Sequence, residues 1–235
     1  MSFTLVRVQV SPSAQQKNTM DKILIPITPI KQIEPMECSI VCMRMILSFY
    51  GIEVSSQDVH DYIVRDLNGG SFNTEIARFA KRKGFNVDCL SYHLGLFDPT
   101  DAKLSKDELI KKLEEQKKHP WFSSDYFLIT DSIINALKDN VNYLIKIPSP
   151  ELIKKYLSNK IPLIASVSYC VLHNKQGDVI EGHDIVLNGI EGDEVFFIDP
   201  EHATQDEISM DQLMFAIHSR RATGTSAYLI AISKA

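Results

Sequence analysis

The feature that most constrains the fold is a change of apolar pattern part-way along the 235-residue chain. Before about residue 160, apolar side chains recur at the helical period, most clearly between residues 37 and 50. After that point, β-branched and aromatic runs are separated by turns that contain glycine and aspartate. Because helices precede strands instead of alternating with them, the pattern predicts an α+β fold with an antiparallel sheet.

The same patterns predict the individual elements. Residues 23–30 are extended because two prolines forbid a helix, and the following helix ends before Gly51. Further helices are predicted at 57–67, 75–83, 105–118, 131–140, 149–159 and 211–220. Strands are predicted at 85–92, 161–172, 182–190, 194–198 and 226–233.

The length fits one large domain or two small ones, and we expect a single domain over residues 20–235. Residues 1–19 are expected to be a disordered extension, and translation from Met20 is an alternative start. The segment at about 95–150 is rich in lysine, glutamate and aspartate and is expected to be an insertion.

Composition also excludes several classes of protein. The net charge is −5 without a basic stripe, so no nucleic-acid partner is expected. No apolar run is long enough to span a membrane. The four cysteines are too dispersed for a disulfide framework, which favours a reducing, cytoplasmic location. No cofactor is expected.

Cys38 is the candidate nucleophile. It lies in the first turn of the predicted helix, where free N–H groups and the positive end of the helix dipole stabilise a thiolate. Gln32, six residues earlier, is a candidate oxyanion donor that would act with the backbone N–H of Cys38. Glu37 lies at the start of this helix, where acidic residues are favoured.

His183 is the candidate base and Asp199 the residue that would orient it. A turn near residues 192–193 pairs position 190 with about 194 and position 185 with about 199. That hairpin would bring the aspartate beside the histidine and fix its tautomer. Of the other histidines, His173 falls in a hairpin expected to be solvated and His202 in a polar loop.

Each of these residues also has a plainer explanation on its own. Cys38 begins a buried helical stripe that includes Cys42, and isolated cysteines are more often buried and inert. Gln32 fits a surface loop, His183 fits a core position, and Asp199 fits a common Asp-Pro turn.

Taken together, the residues match a known family. The segment 31–51 resembles the start of the bacteriocin-processing (double-glycine leader) cysteine peptidases and their stand-alone relatives, within the papain-like superfamily. The shared pattern is a glutamine, a cysteine six residues on and an aromatic-glycine pair, here Gln32, Cys38 and Tyr50-Gly51. A second block, a Gly-His pair and then an Asp-Pro pair, corresponds to Gly182-His183 and Asp199-Pro200. Segments 70–87 and 152–167 resemble the intervening parts of the family.

The resemblance implies a papain-like fold in which the nucleophile helix packs against the sheet. Two positions depart from the family pattern: Ser39 stands where glycine is usual, and Glu37 where aspartate is frequent. The separation of Cys38 from His183 is also longer than in export-transporter peptidase domains, and the surplus falls at 95–150. That insertion is expected to cover the substrate.

The implied chemistry is acyl transfer through a thioester on Cys38, with a peptide or peptide-like acyl substrate. Hydrolysis makes the protein a cysteine peptidase. An amine acceptor or carrier protein would instead make it a transglutaminase-like acyltransferase. A papain-like binding protein without activity is a third reading, which retention of all four residues disfavours. Metal binding by Cys38, Cys42 and a histidine is disfavoured because no second ligand pair has suitable spacing.

Overall fold

The computed structural model describes residues 22–66, 69–123, 126–175, 182–220 and 227–235. The predicted extension 1–19 lies outside these ranges. Within them, no helix combines the length and the apolar character needed to cross a bilayer.

Eight strands of the described residues form one sheet. In chain order they are β1 (Ile23–Leu24), β2 (Phe85–Ser91), β3 (Asn142–Ile145), β4 (Leu163–Ser168), β5 (Gly182–Glu191), β6 (Glu194–Asp199), β7 (Thr204–Ser209) and β8 (Tyr228–Lys234). Their order in space is β3-β2-β8-β4-β5-β6-β7, and β1 pairs with the far end of β5. The predicted antiparallel sheet is confirmed with one exception, because β2 and β3 run parallel.

Eight α-helices lie in the described residues, with a 3₁₀ helix at Pro99–Lys103. They are α1 (Cys38–Phe49), α2 (Ser56–His60), α3 (Asn73–Arg82), α4 (Lys106–Gln116), α5 (Phe127–Lys138), α6 (Pro150–Ser158), α7 (Tyr169–Leu172) and α8 (Met210–Ser219). Helices α1 and α3 pack together against the sheet, while α6 and α8 each pack against β4. Every residue of β4 is buried, as expected for a strand covered on both faces.

Several predicted boundaries are wrong for tertiary reasons. Helix α2 starts from a capping box at Ser55 but stops at His60, far short of residue 67. The carboxylate of Glu75 accepts the backbone N–H of Val64, and Arg65 forms a bridge with Ser71. Because of these contacts, the backbone of residues 64 and 65 has hydrogen-bond partners that do not belong to a helix. Likewise, the strand predicted at 161–172 ends at Ser168, and α7 follows it.

Two strands were not predicted. Strand β3 lies inside the expected insertion and pairs with β2, so this segment contributes the edge of the main sheet. Strand β7 has the polar sequence TQDEIS and is largely exposed, which removes the apolar alternation used to recognise strands. Its register comes from β6, where Ile198 pairs with Gln205.

Helix α1 is fixed on β5 by its buried face. Ile46 and Leu47 are fully buried, and the Sγ atom of Cys42 donates to the carbonyl oxygen of Asp184 over 3.2 Å. Cys38 lies one helical turn before Cys42 on the same face. The contact therefore brings the start of α1 to the start of β5.

The hairpin of β5 and β6 has the predicted register at its functional end. Glu191 pairs with Glu194 across a turn in which Gly192 has φ of 61°. A bulge between Leu187 and Gly189 shifts the pairing by one residue, so that Val186 lies opposite Ile198. The ladder ends at this pair, in the same register as the predicted pairing of position 185 with about 199.

Candidate active site

Cys38 is the first residue of α1 and is partly exposed. The chain reaches it through a tight turn in which Met36 has φ of 63°, a left-handed conformation that is uncommon for residues other than glycine. Because the first N–H groups of a helix lack intrahelical acceptors, the thiol lies where a negative charge is favoured.

Glu37 lies at the helix start, as the sequence predicted. Glu37 occupies the N-cap position, but its side chain makes no capping hydrogen bond to the helix. The carboxylate is buried and instead bonds with His60 and with Ser56. It ties α2 to the beginning of α1.

The other cysteines have different surroundings. Cys42 and Cys89 are fully buried, and burial raises the pKa of both thiols. Cys170 is partly exposed, at the second position of α7. Cys38 is thus the accessible thiol at the start of a long helix.

His183 lies between a sulfur and a carboxylate. Its Nε2 atom is 2.8 Å from Oδ1 of Asp199, and both side chains are buried. Burial opposes the imidazolium, but hydrogen bonds to Asp199 and then to Cys38 outweigh it and raise the pKa of His183 to about 10. Since Asp199 occupies Nε2, the other ring nitrogen is available to Cys38. The structure therefore brings the three predicted residues together.

Asp199 is held as a carboxylate. Burial by itself raises the pKa of Asp199. The hydrogen bond and charge of His183, with the backbone N–H of Glu201, lower the pKa by more than burial raises it, so the net shift is downward. The N–H of Glu201 lies 2.8 Å from Oδ1, the same oxygen that faces His183. An ionised carboxylate in this position favours the charged imidazole.

His173 was predicted to be solvated, and this prediction is wrong. Its side chain is 19% exposed, and its Nε2 atom lies 3.0 Å from Oδ2 of Asp199. Its ring packs against that of Tyr169, which also meets His183 edge to face. Burial is the main reason that the pKa of His173 is lowered. Residues 176–181 of the predicted hairpin lie outside the described residues.

Gln32 is close to the Asp-Pro pair, because its backbone N–H donates to the carbonyl oxygen of Pro200 over 2.7 Å. Its side-chain Nε2 atom donates to the carbonyl oxygen of Glu34. The amide nitrogen therefore bonds within its own loop in this conformation, and the oxyanion role of Gln32 stays a prediction.

A cavity of about 390 Å³ opens beside Cys38 and His183. Its walls come from the starts of α1 and α3, from strands β4, β5 and β8, and from the segment around α5. The polar lining includes Ser39, Asn73, His93, Ser166, Asp184, Arg220 and Tyr228. The cavity is large enough for a substrate side chain or acyl group.

Asp184 forms the buried polar part of this wall. The hydroxyl of Tyr228 donates to Oδ2 of Asp184 over 2.5 Å. Burial raises the pKa of Asp184, while Tyr228, His183, Arg220 and Ser166 each oppose that rise. Asp184 and Tyr228 therefore hold each other in position in the cavity wall.

Gly182, the residue before His183, lies where a side chain would clash with a neighbour. A Cβ atom at Gly182 would lie 2.1 Å from a guanidinium nitrogen of Arg220. Arg220 lines the same cavity. The bare glycine backbone thus lets the guanidinium lie directly against the start of β5.

Sequence reasoning set His173 aside as solvated and missed Asp184, Arg220 and Tyr228. Asp184 follows His183 directly, and a charged residue inside an apolar strand was a signal for a buried polar site. The others come from separate segments and carried no local signal.

A cysteine at a helix start, a histidine on a strand and a carboxylate beside the histidine are the arrangement that the resemblance to papain-like cysteine peptidases implied. The model of the Peptidase C39 family matches residues 27–141, which include Gln32 and Cys38. The match confirms the resemblance of the chain to this family. It ends before His183 and Asp199, whose assignment depends on geometry and on the motif pattern.

The first of the following solved structures supports the fold, and two others are similar at a lower TM-score. A C39-like peptidase from Bacillus anthracis is 12% identical, with 92% of this chain and 99% of that chain covered and a TM-score of 0.51. The peptidase domain of Streptococcus ComA, a bifunctional ABC transporter in a quorum-sensing pathway, is 13% identical over 89% and 99%, with a TM-score of 0.46. A double-glycine motif protease from an AMS/PCAT transporter, in complex with the leader peptide, is 14% identical over 92% and 98%, with a TM-score of 0.48. A search of curated proteins returns no significant match.

Proposed function

We propose that the chain is a cysteine peptidase that cleaves a peptide or peptide-like amide through a thioester on Cys38. The single observation that carries the proposal is the placement of His183 between Cys38 and Asp199. The hydrogen bonds to both partners raise the pKa of His183 to about 10, against the effect of burial. Near neutral pH the imidazole is therefore held in its charged form beside the Cys38 sulfur, which is the proposed nucleophile.

The reaction follows from these positions. The Cys38 sulfur attacks the carbonyl carbon, and the charge that develops on oxygen is met by the Cys38 backbone N–H and the Gln32 amide. His183 gives its proton to the leaving amine as the C–N bond breaks, which leaves a thioester. Water then attacks the thioester while His183 takes its proton, and the carboxylate product and free thiol form. Asp199 is a positioning residue that orients and stabilises the imidazolium.

The cavity suggests the kind of substrate. Its volume of about 390 Å³ suits a substrate with a side chain beside the scissile bond. Tyr126 and Ile129, which belong to the segment expected to be an insertion, form part of the wall. This supports a role for residues 95–150 in covering the substrate. We place the activity in the cytoplasm, since four dispersed cysteines without a disulfide fit a reducing compartment.

The test uses an N-terminally blocked peptide mixture incubated with the protein, and new termini are identified by mass spectrometry. Cleavage is expected with the wild type and with Cys170→Ala, which removes the other partly exposed thiol. No cleavage is expected with Cys38→Ala. Cleavage that persists in Cys38→Ala would refute the proposal.

Amide formation is distinguished in the same experiment. An acyl-enzyme on Cys38 has the same mass in either reaction, so added amines are used to compete with water. Hydrolysis predicts free carboxylate products at all amine concentrations, whereas a transglutaminase-like acyltransferase, or one that uses a carrier protein, predicts amide products. Absence of any acyl-enzyme would favour the binding protein.

A further inference from the structure

Four side chains with metal-binding atoms lie together behind His183. They are His173, at the end of α7, and Asp199, Glu201 and His202, at the turn after β6. One ligand atom from each lies within 4.8 Å of the others. The rings of His173 and His202 face one another with centroids 5.5 Å apart.

The two oxygens of Asp199 are used unequally. Oδ1 accepts from His183 and from the backbone N–H of Glu201. Oδ2 is buried and accepts no hydrogen bond from the described residues. The Asp199 side chain is only 1% exposed, so bulk water does not satisfy this oxygen either.

His173 is oriented toward that same oxygen without satisfying it. Its Nε2 atom lies 3.0 Å from Oδ2, yet the angles do not form a hydrogen bond. Within the described ranges, Nε2 of His173 is itself buried and has no hydrogen-bond partner. A carboxylate oxygen and an imidazole nitrogen that converge without a hydrogen bond are suitable donors for one cation.

We propose that His173, Asp199, Glu201 and His202 bind a divalent transition-metal ion of the zinc type. Two imidazoles with carboxylates are the donor set that Zn²⁺, Co²⁺ and Ni²⁺ accept, whereas Mg²⁺ and Ca²⁺ prefer oxygen ligands alone. Tetrahedral bonds of about 2.1 Å separate ligand atoms by about 3.4 Å. The His173–Asp199 pair is already near that spacing, and His202 approaches by rotation of an exposed side chain.

Binding would affect the site already described, a consequence that depends on the proposed function. A cation on Oδ2 competes with the imidazolium of His183 for the charge of Asp199. Because Asp199 is the residue that orients His183, an ion on Oδ2 would also restrain the position of that carboxylate.

The binding test uses Cys38→Ala, because a thiolate beside an imidazole is itself a possible zinc ligand. Titration of this variant with zinc chloride, followed by calorimetry, is expected to show one bound ion. Adding His173→Ala or His202→Ala should weaken binding at least about tenfold. The control His119→Ala removes an exposed histidine on another surface and should not change it. His202 is also exposed, so that variant is expected to fold even if His173→Ala does not.

Cobalt chloride gives a second measurement. Nitrogen and oxygen ligands predict visible absorption bands without a sulfur-to-metal charge-transfer band. No binding to Cys38→Ala, or equal binding after His173→Ala and His202→Ala, would overturn the proposal. Neither measurement needs turnover, so the metal site can fail while the peptidase proposal stands, and the reverse also holds.

Discussion

The Nε2 atom of His183 lies 2.8 Å from Oδ1 of Asp199, sixteen residues further along the chain. The β5–β6 hairpin makes this contact, and α1 brings Cys38 beside the same imidazole ring. The relationship has measurable consequences for reactivity, stability and pH dependence.

Alkylation by iodoacetamide at neutral pH should modify Cys38 first. Cys42 and Cys89 are expected to react at least about 100-fold more slowly, because burial blocks access and raises the pKa of both thiols. Peptide mass spectrometry at timed intervals measures each rate. Cys170 serves as the internal control for partial exposure, and equal rates at Cys38 and Cys170 would contradict an activated thiol.

Stability should fall with rising pH because of His183. Its pKa rises from an ordinary 6.5 to about 10 on folding, so folding favours the protonated ring. The contribution of His183 to the free energy of unfolding is on the order of a few kcal/mol. It is complete below pH 6.5 and is lost as the pH approaches 10. Urea unfolding across this range should show a smaller decline for His183→Gln.

Cys38→Ala provides the check on that pH effect. Cys38 is one of the groups that raise the pKa of His183, so its removal should reduce the decline without abolishing it. The remaining part comes from Asp199. Identical pH dependence in the wild type and in both variants would show that the imidazole is not held as an ion.

Gln32→Ala should lower kcat by about 100-fold and leave KM nearly unchanged, because an oxyanion donor acts mainly in the transition state. Steady-state kinetics with a substrate found by peptide profiling measures both constants. Gln57→Ala is the matched control, since Gln57 bonds to Asp61 on the surface of α2. A comparable loss in both variants would remove Gln32 from the reaction.

Tyr228→Phe should lower the free energy of unfolding by about 1–3 kcal/mol, because buried Asp184 loses its hydrogen-bond donor. Tyr169→Phe removes a hydroxyl whose bond to Lys175 is exposed, and the expected loss is below about 0.5 kcal/mol. Urea denaturation of the two variants gives the comparison. Equal effects would mean that the Asp184–Tyr228 bond adds little.

Gly182→Ala should displace Arg220, since the new methyl group would overlap the guanidinium. The end of a flexible side chain can move, so a loss of up to about 1 kcal/mol is expected. In an Arg220→Ala background the same substitution should cost less, and a double-mutant cycle measures the difference. Additive effects of the two changes would exclude the clash.

Much of the central arrangement followed from local pattern. Short-range periodicity and turn position account for three features: the apolar face of α1, the position of Cys38 at its start, and the pairing of Val186 with Ile198. Near the turn, the observed pairing of β5 with β6 differs from the predicted pairing by one residue. The unpredicted bulge shifts the register back by one residue, so the predicted register holds at the other end of the hairpin. Errors arose where distant groups replaced local ones, as when Glu75 took the N–H of Val64 and α2 ended early.

The sequence by itself determined which residues begin α1 and which follow the two apolar runs of the hairpin, because those features are encoded by neighbours in the chain. Only the tertiary structure decided that His173 meets Asp199 and that Arg220, Asp184 and Tyr228 share one cavity. These residues come from separate elements whose side chains meet through sheet order and helix packing. Such contacts arise between segments far apart in sequence, so no local period or spacing records them.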